Sequence, residues 1–393
     1  MRIEVIYLCV AIYVVAFIIT VIVVPLSIKL AHRIGAIDVP KDNRRVHIKP
    51  IPRIGGIAIF AGVTVTGLLM AFTGLLDHTN FDRIKGLASI KWGLNYTDYS
   101  GVSPTLGILL GGCLIFFIGF IDDLKGMKPK IKLAGQILAA SLAFYMGVQI
   151  NFVNLFLGGV THFSSAVCYI VTVLWIVAIT NTINLVDGLD GLASGVTAIA
   201  SLCIAYVGYI FGFYMGALPM MVIAGAAMGF LLFNFYPAKT FMGDCGSQYL
   251  GYLMACFSVV GSVKSATVVA VLIPGLALSL PIFDTAFAIV RRIINKKPVM
   301  EADKGHLHHR LLRSGLGQRR TVLCMYGVCA IMGIAAVLLS RGLVVETIGL
   351  AFVAVMYIYV VLTDLNSVIP KIREEENLKT KENKENFRGD NKV

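Results

Sequence analysis

The sequence predicts an all-α, polytopic membrane protein with about eleven transmembrane helices. Three observations carry that prediction. Of the 393 residues, 57% are hydrophobic and only 14% are charged. Apolar runs of about the length that crosses a roughly 30 Å hydrocarbon core, some 20 residues as a helix, recur along the whole chain. The basic residues gather in alternate connecting segments, as the positive-inside bias requires.

Taken in order, the expected spans are 3–30, 54–76, 105–121, 131–150, 163–180, 193–212, 217–234, 248–263, 266–290, 321–339 and 343–363. The first is too long for the apolar core of a secretory signal and reads as an uncleaved span. An odd number of spans puts the two ends of the chain on opposite sides. One side then holds 31–53, 122–130, 181–192, 235–247, 291–320 and the tail from 364. Of the 34 Lys and Arg, only Arg2, Arg83, Lys85, Lys91, Lys264 and Arg341 fall on the other side. The basic side is therefore expected to be cytoplasmic, with the N-terminus outside and the C-terminus inside. Residues 1–363 form the membrane domain. The tail 364–393, rich in Lys, Glu and Asn, has too few apolar residues to pack and is expected to be disordered.

The net charge of +12 raises nucleic acid as a partner. The placement of the charges in loops between spans excludes it. The eight cysteines form no C-x-x-C pair and lie mostly inside apolar runs, so they read as small buried hydrophobes rather than disulfides or zinc ligands. A transporter remains as an alternative on span count alone. A transport path, however, leaves polar features at mid-membrane and on both sides. Here every dense polar motif falls on the basic side, which favours an enzyme working at that surface.

The central motif is Asn181-Thr182-Ile183-Asn184-Leu185-Val186-Asp187-Gly188-Leu189-Asp190-Gly191, placed in a loop. Its amides and carboxylates suit a hard cation such as Mg2+. Asp122 and Asp123 end the third span. A carboxylate at a span centre costs about 2.5–3.5 kcal/mol on insertion scales, and less at an edge, so the pair argues for use. Lys132 and Gln136 share a helical face beyond them. In 31–53, Arg53 and its basic neighbours serve either as a topogenic loop or as a contact for an anionic headgroup or nucleotide. Asn234 opens a loop that ends in Met242-Gly243-Asp244-Cys245-Gly246-Ser247. His306, His308, His309 and Arg310 form a fourth cluster, whose spacing lacks the partners zinc needs. Asp284 sits inside the ninth span, with structural and functional roles equally open.

Together, Asp122-Asp123, the Asn-x-x-Asn-x-x-Asp-Gly-x-Asp-Gly of 181–191, Asn-x-x-Pro-Ala with Phe-Met-Gly-Asp-x-Gly-Ser over 234–247, and His-x-His-His at 306–309 resemble the polyprenyl-phosphate N-acetylhexosamine-1-phosphate transferases, glycosyltransferase family 4. The resemblance covers roughly 1–363. It is nearest to the bacterial undecaprenyl-phosphate GlcNAc-1-phosphate branch that opens teichoic acid or O-antigen synthesis. The phospho-MurNAc-pentapeptide translocase of peptidoglycan synthesis is the alternative; its members usually show three consecutive His, whereas Leu307 interrupts the run here. The dolichol branch is less similar.

The resemblance implies transfer of GlcNAc-1-phosphate from UDP-GlcNAc to undecaprenyl phosphate at the inner leaflet of a bacterial cell membrane, releasing UMP. It implies Mg2+, with Mn2+ as a substitute, held by Asn184 and Asp244. Asp122 or Asp123 would assist the lipid phosphate, by a direct or a covalent route. Asp187 and Asp190 join this catalytic set on the nucleotide and sugar side, beside Asn181. Lys132, Asn234, Arg53, His306, His308, His309 and Arg310 would bind phosphates or sugar. A homodimer is left open.

Overall fold

A computed structural model describes residues 2–40, 50–72, 104–155, 159–262, 274–294, 307–313 and 315–361. The helices are α1 (Arg2–Ile34), α2 (Gly56–Phe72), α3 (Pro104–Lys125), α4 (Pro129–Tyr145), α5 (Ser165–Val186), α6 (Leu192–Ile210), α7 (Tyr214–Asn234), α8 (Gly243–Ser262), α9 (Ser279–Ile294), α10 (Leu307–Arg313), α11 (Gln318–Ser340) and α12 (Val344–Val361). Pro104 and Pro129 open α3 and α4, where the missing N–H costs nothing. Two short antiparallel ribbons complete the described fold. β1 (Ile37–Asp38) pairs with β2 (Ile51–Pro52), and β3 (Phe152–Leu155) pairs with β4 (Gly159–His162).

Seven of the described helices, namely α1, α3, α5, α6, α7, α11 and α12, are long and apolar enough to cross a membrane. Their outer faces show why lipid is the expected solvent. On α1, Ile18, Ile22 and Leu26 form an exposed apolar row at four-residue spacing. On α12 most of the helix is exposed and apolar. Such surface is unfavourable in water at about 25 cal/mol per Å². The fold is thus an all-α polytopic membrane protein.

The core lies around α8, which packs against α2, α3, α5 and α7. Its run Tyr252, Leu253, Met254, Ala255 and Cys256 is buried throughout. The Tyr252 hydroxyl donates to the Gly107 carbonyl of α3 at 3.3 Å, so its one polar atom is satisfied. A second cluster joins α6, α9, α10 and α11 through Val196, Leu280, Leu311, Val322 and Met325. All eight cysteines are free.

The expected element boundaries need correction where the motifs lie. The motif 181–191 is not one loop. Helix α5 continues to Val186, so Asn181 and Asn184 stand on its last turns and only the following residues turn back into α6. Helix α8 begins at Gly243, so Asp244 belongs to its first turn rather than to a loop. Helix α3 runs past both aspartates to Lys125. Helix α4 stops at Tyr145, short of the expected 150. The ninth span is broken near 278, and α9 runs on to Ile294. The ribbons were not anticipated at all.

Candidate active site

The polar site sits where one set of helix ends meets. The C-terminal ends of α3, α5 and α7 face the N-terminal ends of α4, α6 and α8 there. The β1–β2 ribbon and α2 close one side, because Gly55 and Gly56 N–H groups donate to the Phe241 and Met242 carbonyls at 2.9 Å each.

Asp123 organises the centre. Its carboxylate accepts the backbone N–H groups of Asp244 and Cys245, both at 3.0 Å, and so caps the start of α8 from α3. Arg53 Nη2 reaches the same carboxylate at 3.2 Å. Gly243 holds the turn before Asp244 at φ +70, and a Cβ there would lie 2.5 Å from Asp123 Oδ2. Lys132 on α4 spans Asp122 and Asp244, with its Nζ 2.6 Å from each. Asn184 Nδ2 donates to Asp244 Oδ1 at 3.2 Å.

A cavity of about 430 Å³ opens over this centre. Asp123, Asp187, Asp190, Asp244, Arg53 and His309 are among its lining residues. Asp190 Oδ2 accepts the Ala238 N–H at 2.9 Å, tying the α5–α6 turn to the segment before α8. Burial pushes the Asp187 carboxyl up to about 8, and the negative charges of Asp244, Asp123 and Asp190 add to the rise.

The His308 and His309 rings on α10 lie with centres 4.3 Å apart, tilted by 45° to one another. His308 is 1% exposed. A Cβ on Gly188 would lie 2.7 Å from His308 Nε2, so glycine admits the imidazole to the α5–α6 turn. Asp284 on α9 accepts the Leu307 N–H at 2.7 Å and so fixes the start of α10. This gives the aspartate left unassigned by the sequence a structural partner.

The sequence-predicted residues divide into groups. Asp123, Asp187, Asp190, Asp244, Arg53, Asn234 and His309 line one cavity, with Asn184 and Lys132 bonded to Asp244 beneath it. Asp122 is bonded to Lys132. Asn181 lies one turn deeper than Asn184, paired with Gln136. Asn234 is a brace: its Oδ1 accepts from Gly191 N–H and Ser194 Oγ, and its Nδ2 donates to the Thr240 carbonyl. Arg310 does not line this cavity. It lines a second, largely apolar one of about 560 Å³ with Leu280, Phe283, Phe287, Ile294 and Arg291. His306, the basic segment 41–49 and the tail 364–393 lie outside the described residues.

Sequence reasoning missed Gln248, Phe241 and Gln318. Gln248 donates to Asp244 Oδ2 at 2.9 Å, and the other two line the polar cavity. A lone amide inside an apolar run was the available signal for Gln248.

Asp244 is reached by the Lys132 ammonium and by the Asn184 and Gln248 amides, and five aspartates, including Asp38, line a cavity with Arg53. That excess of carboxylate and that donor chemistry fit a hard divalent cation. Among the described residues no three His, Cys, Asp or Glu side chains are grouped to hold a metal by themselves. An ion here would take ligands from Asp244, the Asn184 amide and substrate oxygens.

Comparison with known proteins agrees with this geometry. The sequence profile of Glycosyl transferase family 4 matches residues 105–262. The chain is 35% identical over 349 residues to a Bacillus subtilis protein described as a probable undecaprenyl-phosphate N-acetylglucosaminyl 1-phosphate transferase, covering 89% of this chain and 90% of that one. It is 36% identical to the decaprenyl-phosphate N-acetylglucosaminephosphotransferase of Mycobacterium leprae, covering 88% and 86%. A phospho-N-acetylmuramoyl-pentapeptide-transferase of Desulforudis audaxviator is 27% identical, covering 84% and 97%. The chain belongs to glycosyl transferase family 4.

Proposed function

We propose that this protein transfers GlcNAc-1-phosphate from UDP-GlcNAc to undecaprenyl phosphate, giving undecaprenyl-pyrophosphoryl-GlcNAc and UMP. The reaction is the first membrane step of teichoic acid, O-antigen or related envelope polysaccharide synthesis. The observation that carries this reading is the meeting of four separated motifs at Asp244. Asp123 caps its backbone, Lys132 and Asn184 bind its carboxylate, and His309 faces it across one cavity. The higher identity to GlcNAc-phosphate transferases than to the pentapeptide transferase supports the GlcNAc donor.

The protein's own work is positioning and charge control, since phosphoryl-type transfer needs little covalent chemistry from the enzyme. A nucleotide pyrophosphate in the 430 Å³ cavity lies between Arg53 and His309, which supply donors to its oxygens. Lys132 keeps its ammonium between two carboxylates, ready to meet phosphate oxygen. Asp123 faces the cavity and holds the α8 turn rigid, while Asp122 orients Lys132. Asp244 and Asn184 would hold Mg2+, which when bound would supply charge neutralisation at the pyrophosphate and ease departure of UMP. The second cavity, apolar and sharing α10 with the first, takes the start of the prenyl chain, with Arg291 and Arg310 near its phosphate. Lipid thereby reaches the reacting phosphate from the membrane while the nucleotide stays in water.

In the membrane we place eleven spans, the N-terminus outside, and the site at the cytosolic face of the bacterial cell membrane. The distribution of Lys and Arg supports this orientation. Purified protein given UDP-GlcNAc, Mg2+ and undecaprenyl phosphate releases UMP and forms a pyrophosphate-linked lipid. Failure to release UMP, with solute uptake into vesicles carrying the protein, would leave a transporter instead.

A further inference from the structure

The polar cluster does not end at Asp244. One turn deeper in the apolar bundle, Gln248 is fully buried and Gln136 is 3% exposed. Gln248 Nε2 donates to Asp244 Oδ2 at 2.9 Å, and its Oε1 accepts from Gln136 Nε2 at 2.9 Å. Gln136 Oε1 in turn accepts from Asn181 Nδ2 at 2.6 Å. Asn181 is itself tied to the Val177 carbonyl at 2.8 Å. The chain of amides therefore starts from the α5 backbone and ends on a carboxylate. Its direction is fixed by charge, because a flipped Gln248 would set its carbonyl oxygen against Asp244.

A parallel tie serves Asn184. Ser247 Oγ donates to the Gly243 carbonyl at 2.9 Å, which leaves its lone pairs for Asn184 Nδ2 at 2.8 Å. Asn184 Nδ2 is thus committed to Ser247 and to Asp244 Oδ1. Three amide side chains at this depth are expensive, and an aliphatic residue at 248 would satisfy the surrounding core better. Their presence calls for a use.

We infer that Ser247 and Gln248, the latter braced by Gln136 and Asn181, are positioning residues that fix the side chains of Asn184 and Asp244 for a divalent ion. This rests on the reading that Asn184 and Asp244 hold that ion. Outer partners of metal ligands typically change affinity by about 10–100-fold when removed.

The test uses full-length protein in lipid nanodiscs. Mn2+ is titrated without substrates and followed by electron paramagnetic resonance, and UMP release is then measured against Mg2+ concentration. Gln248→Leu is expected to weaken Mn2+ binding about tenfold and to raise the Mg2+ needed for half-maximal rate by the same factor. The KM for nucleotide sugar at saturating Mg2+ stays near the wild-type value. Ser247→Ala is expected to shift the ion dependence in the same direction through Asn184. The double variant Gln136→Leu/Gln248→Leu, which removes donor and acceptor together, is expected to fold and to bind Mn2+ no more weakly than Gln248→Leu alone. Wild-type Mn2+ affinity in Gln248→Leu and Ser247→Ala, or a fall in kcat with unchanged ion dependence, would overturn the inference alone. A wild-type protein that binds no Mn2+ would overturn the ion reading and this inference with it.

Discussion

At the residue scale, Asp244 is the point on which the α3–α4, α5 and α8 motifs converge. It receives Lys132, Asn184 and Gln248, and its own N–H is capped by Asp123. Asp244→Ala is therefore expected to lower UMP release by at least about 100-fold while leaving the helical circular dichroism intact, in line with the loss of one preorganised charge-stabilising group. Asp187 gives a prediction in pH. Its carboxyl is raised from an ordinary 3.8 to about 8, so between those values the fold binds a proton that the unfolded chain does not. Stability of the ion-free protein is thus expected to fall as pH rises from about 4 to about 8, and then to level off. Asp187→Asn should reduce that slope in a thermal melt series. An unchanged slope in the variant would show that Asp187 is ionised across the range. Most of these residues were legible in the sequence because carboxylates and amides are costly at a membrane edge. Gln248 was not, since one amide within an apolar helix carries no spacing signal.

At the element scale, the short helix α10 matters most. Its register decides which imidazole faces which cavity. Adjacent residues on a helix diverge by about 100°, which is why His309 lines the polar cavity and Arg310 the apolar one. Linear spacing placed both in one cluster and could not separate them. Asp284 at the Leu307 N–H, the fit of His308 over Gly188 and the burial of Leu311 in the second apolar cluster help hold the helix. Asp284→Ala is expected to cost about 0.5–2 kcal/mol, the usual worth of a helix cap, and to raise KM for the nucleotide sugar more than it lowers kcat. Asp284→Asn keeps an acceptor oxygen and should recover most of the loss. Gly188→Ala is expected to displace the His308 ring and reduce activity without unfolding the bundle, read as UMP release against melting temperature. Element boundaries also explain what the sequence misplaced. Asn181 and Asn184 lie three apart, which is helical spacing, yet the Gly residues after them drew the whole stretch into a loop. The ribbons were too short for a pattern of alternation to register.

At the scale of the whole molecule, the all-α membrane class was legible in the apolar runs, and seven of the described helices are long and apolar enough to cross a bilayer, because span length is dictated by bilayer thickness rather than by neighbours. The packing order of the helices, with α8 at the centre, was not legible, since apolar runs of similar composition do not state which of them is surrounded. The convergence of motifs on one end of the bundle followed from alternation of the connecting segments alone. Orientation is testable directly. A tag after Val393 is expected to be protected from added protease in intact cells and cleaved in inverted membrane vesicles; cleavage in intact cells would reverse the assigned sides.

The central claim is that this one polar cavity, built on Asp123, Asn184 and Asp244 beside an apolar one, selects and splits a GlcNAc nucleotide. The most direct measurement is a donor panel on the purified protein with undecaprenyl phosphate and Mg2+, comparing UDP-GlcNAc, UDP-GalNAc and UDP-MurNAc-pentapeptide by UMP release and by mass of the lipid product. Turnover of UDP-GlcNAc is expected to be well above that of the other two, with undecaprenyl-pyrophosphoryl-GlcNAc as the product. Preferred turnover of the pentapeptide donor, or equal rates in Asp244→Ala, would contradict it.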